Sequence, residues 1–419
     1  MSSSGSRPVL PRRLGLAGAV AVGLAAMLGT GVFAAWTPAL SWSGPLLLVS
    51  LAVAGVVAVL NAWSTASLAR VHPEAGGAYA YGRARLGRGA GVVAGAAFVL
   101  GKVASAGAAA LTLGSYLWAG HERLVAVVAI AALLVLDLFG VTRTAVASAV
   151  SAVLVVAVLV AVVVATTSYP AYADAVVQPA SPGPAGVLAA AGLLFVAFAG
   201  YARVATLGEE VRDPERTLPR AIAVALGTVM VVYLAVGVAV LRVEGPIPAD
   251  ERSPAPLVQL VHLVATPSFD AATGNFAPAP WGAAALVVPW VRIAAAVAAG
   301  GALLSLLAGV GRTLFAMGRG GDAPGWLTPV SRHGVPHRAQ VVAAAAAAVV
   351  SLVGGIGGAL AVSGASILLY YGVAHLAALR MRADEPRAPR AVPLLGLIGC
   401  VLVASSLVAV GLGLLSPGA

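Results

Sequence analysis

The chain has 419 residues, 60% of them hydrophobic and 10% charged, and a formal net charge of +10. That balance is too apolar for a soluble protein, and apolar runs of about 20 residues, the length that crosses a bilayer, recur along the chain. Long unbroken runs exclude a transmembrane β-barrel, whose strands are short and alternating. The composition therefore predicts an all-α polytopic membrane protein embedded in a lipid bilayer.

The apolar runs predict eleven transmembrane helices in one domain, residues 1–419. The helices are expected at 15–39, 44–68, 88–118, 123–141, 145–168, 186–208, 219–241, 285–310, 338–355, 358–379 and 392–415. The first run resembles a signal peptide but is too long, so we interpret it as an uncleaved first helix. The long loop 242–284 is expected to carry a short amphipathic helix around 254–266.

The positive charge follows the topology rather than indicating nucleic-acid binding. With a cytoplasmic N-terminus, most arginines fall in alternate, internal loops, as the positive-inside rule predicts. This placement of the charges gives no reason to expect a nucleic-acid partner, and no cofactor is expected. No metal site is expected either, because the spans hold no histidine pair at helical spacing. The single cysteine, Cys400, excludes an intrachain disulfide.

Two glycines and a threonine, Gly29, Thr30 and Gly31, interrupt the first span. They indicate either a packing seam of small residues or a broken helix lining a cavity. The sixth span has Ala199 and Gly200 at similar depth. Five helices separate the two interruptions, so 15–168 and 186–379 are predicted to be inverted repeats, followed by an extra helix at 392–415. Interrupted helices in corresponding positions of two repeats mark transporter sites.

The two predicted breaks suit the backbone of an amino acid. A helix that resumes after Gly31 offers free N–H groups to a carboxylate. The half-helix that ends near Phe198 offers free carbonyls to an ammonium group. The aromatic residues of span six share one predicted face and either pack or close over a substrate. The candidate substrate-binding residues are Met27, Gly29, Thr30, Gly31, Phe195, Phe198, Ala199, Gly200 and Tyr201.

The only lysine, Lys102, is placed near the centre of span three. A charge there costs about 2.5–3.5 kcal/mol on insertion scales, and a lysine avoids that cost by losing its proton. Lys102 is therefore a candidate proton carrier; the alternative is a structural pairing with a carbonyl or with Asp137. Ser305 of span eight is a weaker candidate to face the break in span one.

Charged residues near the inner end of span six form a second candidate group. Arg203 either extends toward Glu209 and Glu210 or meets an acidic group of a substrate. Together these three residues are candidates for gating at the inner loop.

Four segments resemble the amino acid–polyamine–organocation superfamily of permeases. They are GLAAMLGTGVF (23–33), PEAGGAYAYGRARLG (73–87), FVAFAGYARVATLGEEVRDPERTLPRAI (195–222) and GRTLFAMGRGGDAP (311–324). The resemblance implies a five-plus-five inverted repeat and secondary transport by alternating access, coupled to protons or to exchange. It also implies substrate binding by the backbone around 29–31 and 195–200. The lysine that relatives often carry in helix five is absent here.

These observations favour a secondary transporter of neutral or hydrophobic amino acids rather than an enzyme. The substrate would be a small amino acid or amine, with H⁺ as a possible second partner, in the cytoplasmic membrane. Alternatives are a polyamine or organic-cation transporter of the same fold, a transporter-derived sensor, and a membrane-embedded enzyme.

Overall fold

The computed structural model describes most of the chain as helix. The described residues are 15–72, 76–140, 145–167, 169, 183–205, 211–245, 247–266, 268–270, 275–277, 279 and 281–414. The helices are α1 Leu16–Met27, α2 Gly31–Ala34, α3 Trp36–Ser43, α4 Leu47–Val71, α5 Ala78–Leu86, α6 Arg88–Leu117, α7 Glu122–Leu138, α8 Ala145–Thr167, α9 Pro184–Phe198, α10 Ala202–Ala205, α11 Pro214–Glu244, α12 Pro256–Ala265, α13 Val288–Arg319, α14 His337–Val353, α15 Ile356–Leu379 and α16 Ala391–Gly411.

A helix occupies each of the eleven predicted positions. Within the described residues, nine segments are long and apolar enough to cross a membrane. The other two predicted spans are α7 and α14, of 17 residues each, about 26 Å long at 1.5 Å per residue. The prediction of a polytopic all-α membrane protein is therefore confirmed.

Span seven begins earlier than predicted, at Pro214 instead of residue 219. Asp213 has a φ of +48°, and its carbonyl accepts the N–H groups of Arg216 and Thr217. This left-handed residue starts the helix, and Pro214 occupies the first helical position, where its missing N–H costs nothing. The proline at 219 is thus inside the helix and does not mark its start.

The long loop before α13 contains the expected amphipathic helix. In α12, Leu257, Leu260, Val261 and Val264 are fully buried, as the spacing of the apolar residues predicts. An antiparallel hairpin follows, β1 Ser268–Asp270 with β2 Asn275–Ala277, paired at Phe269 and Phe276. Strands this short leave no distinct periodicity in the sequence.

Helix α6 is central and packs against α5, α7, α13, α14 and α15. Its glycines allow these neighbours to approach closely. A Cβ added to Gly95 would lie 2.9 Å from Met317 Sδ in α13, and one added to Gly107 would lie 2.6 Å from Val350 Cγ1 in α14. Small residues in α6 therefore position several spans at once.

Loops rich in arginine meet on one face of the bundle, around α5; we call this the arginine-rich face. The carboxylate of Asp322 accepts hydrogen bonds from Tyr79 Oη (2.8 Å) and Arg88 Nε (2.8 Å) and forms an ion pair with Arg83. Arg85 binds both oxygens of Glu385, at 2.5 and 2.9 Å. These contacts join α5 to the loops that follow α13 and α15.

The hydrogen bonds from Tyr79 and Arg88, with the charges of Arg83 and Arg88, hold the pKa of Asp322 below its ordinary value. A carboxylate with a lowered pKa stabilises the fold fully above its ordinary pKa of about 4, and this contribution disappears as the pH falls through the folded value. The Asp322 cluster is therefore expected to support the fold at neutral pH and to fail in acid.

We predict that Asp322→Asn lowers the melting temperature at pH 7 by several degrees, because two arginines lose their carboxylate. The difference from the parent should shrink as the pH falls below about 4. Melting temperature in detergent measures both effects. Asp384→Asn, an exposed change on the same face, is the matched control. Equal melting temperatures for Asp322→Asn and the parent at pH 7 would contradict the role of this cluster.

Candidate functional site

The first span is broken, as predicted. Helix α1 ends at Met27, and the N–H of Leu28 closes its last turn on the carbonyl of Leu24 at 2.7 Å. After a three-residue gap, α2 and α3 form a nearly continuous second half, since Ala35 is also helical and donates to the carbonyl of Gly31. The interruption lies within the buried part of the bundle.

The sixth span tightens at its predicted break. Helix α9 ends at Phe198, residues 199–201 form a turn of 3-10 helix, and α10 follows. The N–H of Ala199 donates to the carbonyls of Phe195 and Val196. Two of the carbonyls expected to be free near residue 198 are therefore already bonded.

The two breaks pack directly against each other. A Cβ added to Gly200 would collide with the carbonyl of Ala26 and lie 2.6 Å from the nitrogen of Met27. A Cβ added to Gly31 would collide with Cα and Cβ of Ala197. Only glycine permits this close approach of two backbones, so both predicted breaks belong to one site.

Tyr233 of α11 links the two breaks with its hydroxyl group. Its Oη lies 2.6 Å from the carbonyl oxygen of Met27 and 3.1 Å from that of Ala197. Its ring packs edge-on against Trp36 and Phe198, with centroids 6.2 and 5.0 Å apart. Tyr233 is not among the residues predicted from the sequence; a hydroxyl-bearing residue within the apolar stretch of span seven is the signal that could have indicated it.

The three aromatic residues of span six do not share one face. Phe195 and Tyr201 pack on Tyr371 of α15, with centroids 6.1 and 5.6 Å apart, whereas Phe198 packs on Tyr233. All three are fully buried. Their contacts are those of packing residues that hold the break between α11 and α15.

One polar group at the break lacks a partner. Thr30 Oγ1 is buried and has no hydrogen-bond partner among the described residues. Across from it, Gly29 faces Ala302 of α13, whose Cβ would lie 3.4 Å from an added Cβ. Ser305, one turn further along α13, is exposed and bonds the carbonyl of Gly301. The break thus contains one hydroxyl group, that of Thr30, without a partner among the described residues. Two small residues, Gly29 and Ala302, face each other there.

Lys102 is half-buried on α6. Its Nζ lies 5.7 Å from the ring centroid of Phe98. Among the described residues Lys102 forms no ion pair with Asp137, the pairing that the sequence left as an alternative. The described contacts of Lys102 do not bring it to the paired breaks.

The structure describes only one of the three residues that the sequence predicts for a gate at the inner loop. Arg203 is exposed on α10, while Glu209 and Glu210 lie outside the described residues.

A polar network that sequence patterns do not indicate lies between α4, α15 and α16. His375 Nε2 lies 2.6 Å from Asn61 Oδ1, and Nδ1 lies 3.0 Å from Ser64 Oγ. Cys400 donates to the same Asn61 oxygen at 3.3 Å. His375 is isolated in the sequence, and its partners are about 300 residues away.

Comparisons with known proteins find membrane transporters. A family model described as amino acid permease matches residues 18–416. An uncharacterized transporter of Mycobacterium tuberculosis is 45% identical over 98% of this chain and 90% of that protein. The inner membrane transport protein YbaT of Escherichia coli is 26% identical over 57% and 56% of the two chains. Vacuolar cationic amino acid transporter 2 of Arabidopsis thaliana is 29% identical over 55% and 41%.

We predict that Gly200→Ala separates the two breaks. The added methyl group collides with backbone atoms, and overpacking of this kind costs about 1–3 kcal/mol, so the melting temperature in detergent should fall. Gly227→Ala in α11 is the matched control, because no atom lies within 4 Å of its added Cβ and alanine is favoured in helices by about 0.5–1 kcal/mol. Equal stability of the two variants would show that the breaks are not tightly packed.

Proposed function

Because the chain belongs to the amino acid permease family, a family of membrane transporters rather than enzymes, we propose that it carries neutral or hydrophobic amino acids by alternating access. The family description and the names of the Arabidopsis relatives support transport of amino acids or related compounds, and the other relatives are named as transporters. The narrower substrate class rests on the site.

The observation that carries the proposal is the pairing of the two helix breaks. The second half of span one begins at Gly31, and a helix start attracts a carboxylate. The unpartnered Thr30 hydroxyl lies next to that start and can donate to the same group. The carbonyl oxygens of Met27 and Ala197, near the ends of α1 and α9, lie 2.6 and 3.1 Å from Tyr233 Oη, and the second lone pair of each can accept a hydrogen bond from an ammonium group. An α-amino acid carries both groups on one carbon.

The side-chain preference follows from the residues around the break. Ala26, Ala197, Ala199 and Ala302 are small and apolar, and the described residues of both breaks include no carboxylate. Burying a cationic side chain without a counter-charge is costly. This environment favours neutral substrates.

A second candidate is a cationic amino acid or a polyamine. It is supported by the names of the Arabidopsis relatives, which are called cationic amino acid transporters. Uptake of neutral amino acids, cationic amino acids and polyamines, measured side by side, distinguishes the two substrate classes.

We assign the arginine-rich face to the cytoplasm. Arg83, Arg85 and Arg88 lie on it, and arginines favour the inner side of a membrane. The N-terminus is then cytoplasmic, α12 lies on the external side, and the membrane is the cytoplasmic membrane of a bacterium.

The first test is the uptake of a panel of radiolabelled amino acids and polyamines into proteoliposomes, with and without an inward proton gradient. We expect saturable uptake of neutral amino acids that the gradient stimulates. Uptake that requires preloaded substrate would identify an exchanger. Preferential uptake of lysine, arginine or polyamines would establish the second candidate, and absence of uptake by folded protein would contradict both.

Proton coupling through Lys102 is tested by Lys102→Ala and Lys102→Gln. We expect both variants to lose stimulation by the proton gradient, because the replacements cannot bind a proton, while they retain exchange. Arg123→Gln, an exposed cation at the start of α7, is the control and should behave like the parent. Transport by the Lys102 variants at parental rates across pH would exclude this residue from coupling.

A further inference from the structure

A carboxylate without partners is buried at the end of span seven. Glu244 is the last residue of α11 and is fully buried. Neither Oε1 nor Oε2 has a hydrogen-bond partner in the described structure. Burying an ionised carboxylate without hydrogen bonds costs far more than burying the neutral acid. Burial at this position therefore favours the neutral acid, and the proposed transport site does not explain why an acid is buried here.

Residues 252–257, which we call the strap, follow α11 in the chain and run into the first turn of α12. The strap binds the outer half of span one: Thr37 Oγ1 donates to the carbonyl of Ser253 at 3.0 Å, and Arg252 Nη1 lies 3.5 Å from Ser41 Oγ. The strap leads into α12, whose apolar face is fully buried. The strap therefore joins α12 to the outer half of span one.

Tyr116, at the end of α6, connects the strap to the break. Its hydroxyl donates to the carbonyl of Phe33 at 2.9 Å and accepts the N–H of Leu257 at 3.4 Å. Helix α12 also packs against α11, of which Glu244 is the last residue. Glu244 is therefore a neighbour of the contact through which the strap is held to span one.

The charged and titratable groups around Glu244 are few. Arg252 of the strap interacts with it electrostatically without forming a hydrogen bond or ion pair to it in the described structure, and Arg252 Nε is itself without a partner. Tyr116 faces it from α6. Arg242, on the same helix, is bonded to the carbonyl of Tyr169. Three further titratable residues are exposed: Asp250 and Glu251, before the strap, and His262 of α12. Helix α3 and the described part of α8 contain no charged residue.

We propose that Glu244 is a proton-binding site that links closure of the strap to the pH on the α12 side. When the strap closes, the carboxylate takes a proton from water on that side and becomes a neutral acid. When the strap opens, water reaches the carboxyl group, which returns the proton to the same side. The positive charge of Arg252 opposes protonation and sets the pH at which the strap opens. The external position of the strap rests on the orientation assigned under the proposed function.

The linkage has a definite sign. The closed state binds one proton more than the open state, so a rise in pH on the α12 side favours opening. For one proton the equilibrium changes at most about tenfold per pH unit. Replacing Glu244 by a neutral residue removes this dependence and favours the closed state.

The test measures opening of the strap directly. Leu257 is fully buried in the closed state, so Leu257→Cys reacts with a membrane-impermeant maleimide only when the strap opens. The parent protein, whose single cysteine Cys400 is buried, is the blank. Labelling rates are measured in proteoliposomes between pH 5 and pH 9 on the α12 side, for Leu257→Cys alone and combined with Glu244→Gln, Arg252→Gln or, as control, Glu251→Gln. Because the thiolate fraction of any cysteine rises with pH, each rate is divided by the rate at which the same maleimide reacts with a small free thiol at that pH, and this ratio is the labelling compared below.

We expect labelling to rise with pH by up to about tenfold per unit in Leu257→Cys and in the Glu251→Gln control. With Glu244→Gln, labelling should be slow and independent of pH. With Arg252→Gln, the rise should shift to higher pH. The same pH dependence with and without Glu244→Gln would overturn the proposal, as would a flat profile for Leu257→Cys alone.

Folding of the variants is part of the test. A neutral residue mimics the protonated acid, so Glu244→Gln and Glu244→Leu should fold; failure of both would also overturn the proposal. Labelling does not depend on the transported substrate. A protein that transports nothing in the uptake panel can therefore still show or lack the expected labelling. Failure of the proposed transport function and failure of the strap proposal remain distinguishable.

Discussion

The rest of the structure depends on one constraint, the satisfaction of backbone polar groups inside a membrane. Two helices that stop in the bilayer expose carbonyl and N–H groups that lipid cannot bond. Here the two interruptions lie against each other at Gly31 and Gly200, and one tyrosine hydroxyl reaches a carbonyl of each. The position of α11 follows from this bond, because Tyr233 must lie within hydrogen-bonding distance of both ends.

The two faces of the bundle are held together by different interactions. On the arginine-rich face, Asp322 and Glu385 accept several charge-assisted hydrogen bonds, which are stronger than neutral ones. On the α12 face, Thr37 and Tyr116 form neutral hydrogen bonds, and Arg252 Nη1 lies 3.5 Å from Ser41 Oγ, at the limit of hydrogen bonding. A segment held mainly by neutral hydrogen bonds separates more easily than loops joined by ion pairs. The structure therefore favours motion of the strap over motion of α5.

Apolar runs predicted the positions of the helices, and paired small residues predicted both breaks, because length and glycine content are local properties. The contacts of the site were not predictable in this way. Tyr233 reaches Met27 across more than 200 residues of sequence, and Phe195 and Phe198 pack on different helices despite their helical spacing. In the sequence Glu244 resembles an ordinary residue at a membrane boundary, and only the structure shows that it is fully buried. Whether Lys102 and Asp137 pair depends on how α6 and α7 are rotated against each other, which the sequence does not indicate.

The network around His375 holds three helices of the bundle together. Asn61 Oδ1 can only accept, so His375 Nε2 and the Cys400 thiol both donate to it, and Nδ1 accepts from Ser64. Both nitrogens of a neutral imidazole are then used, and α4, α15 and α16 are held together. Tyr371 lies one turn before His375 and packs against Phe195 and Tyr201. The break of span six therefore packs against the unit formed by α4, α15 and α16. Under the alternating access proposed for this protein, opening at the paired breaks would displace span one and the strap bound to it relative to this unit.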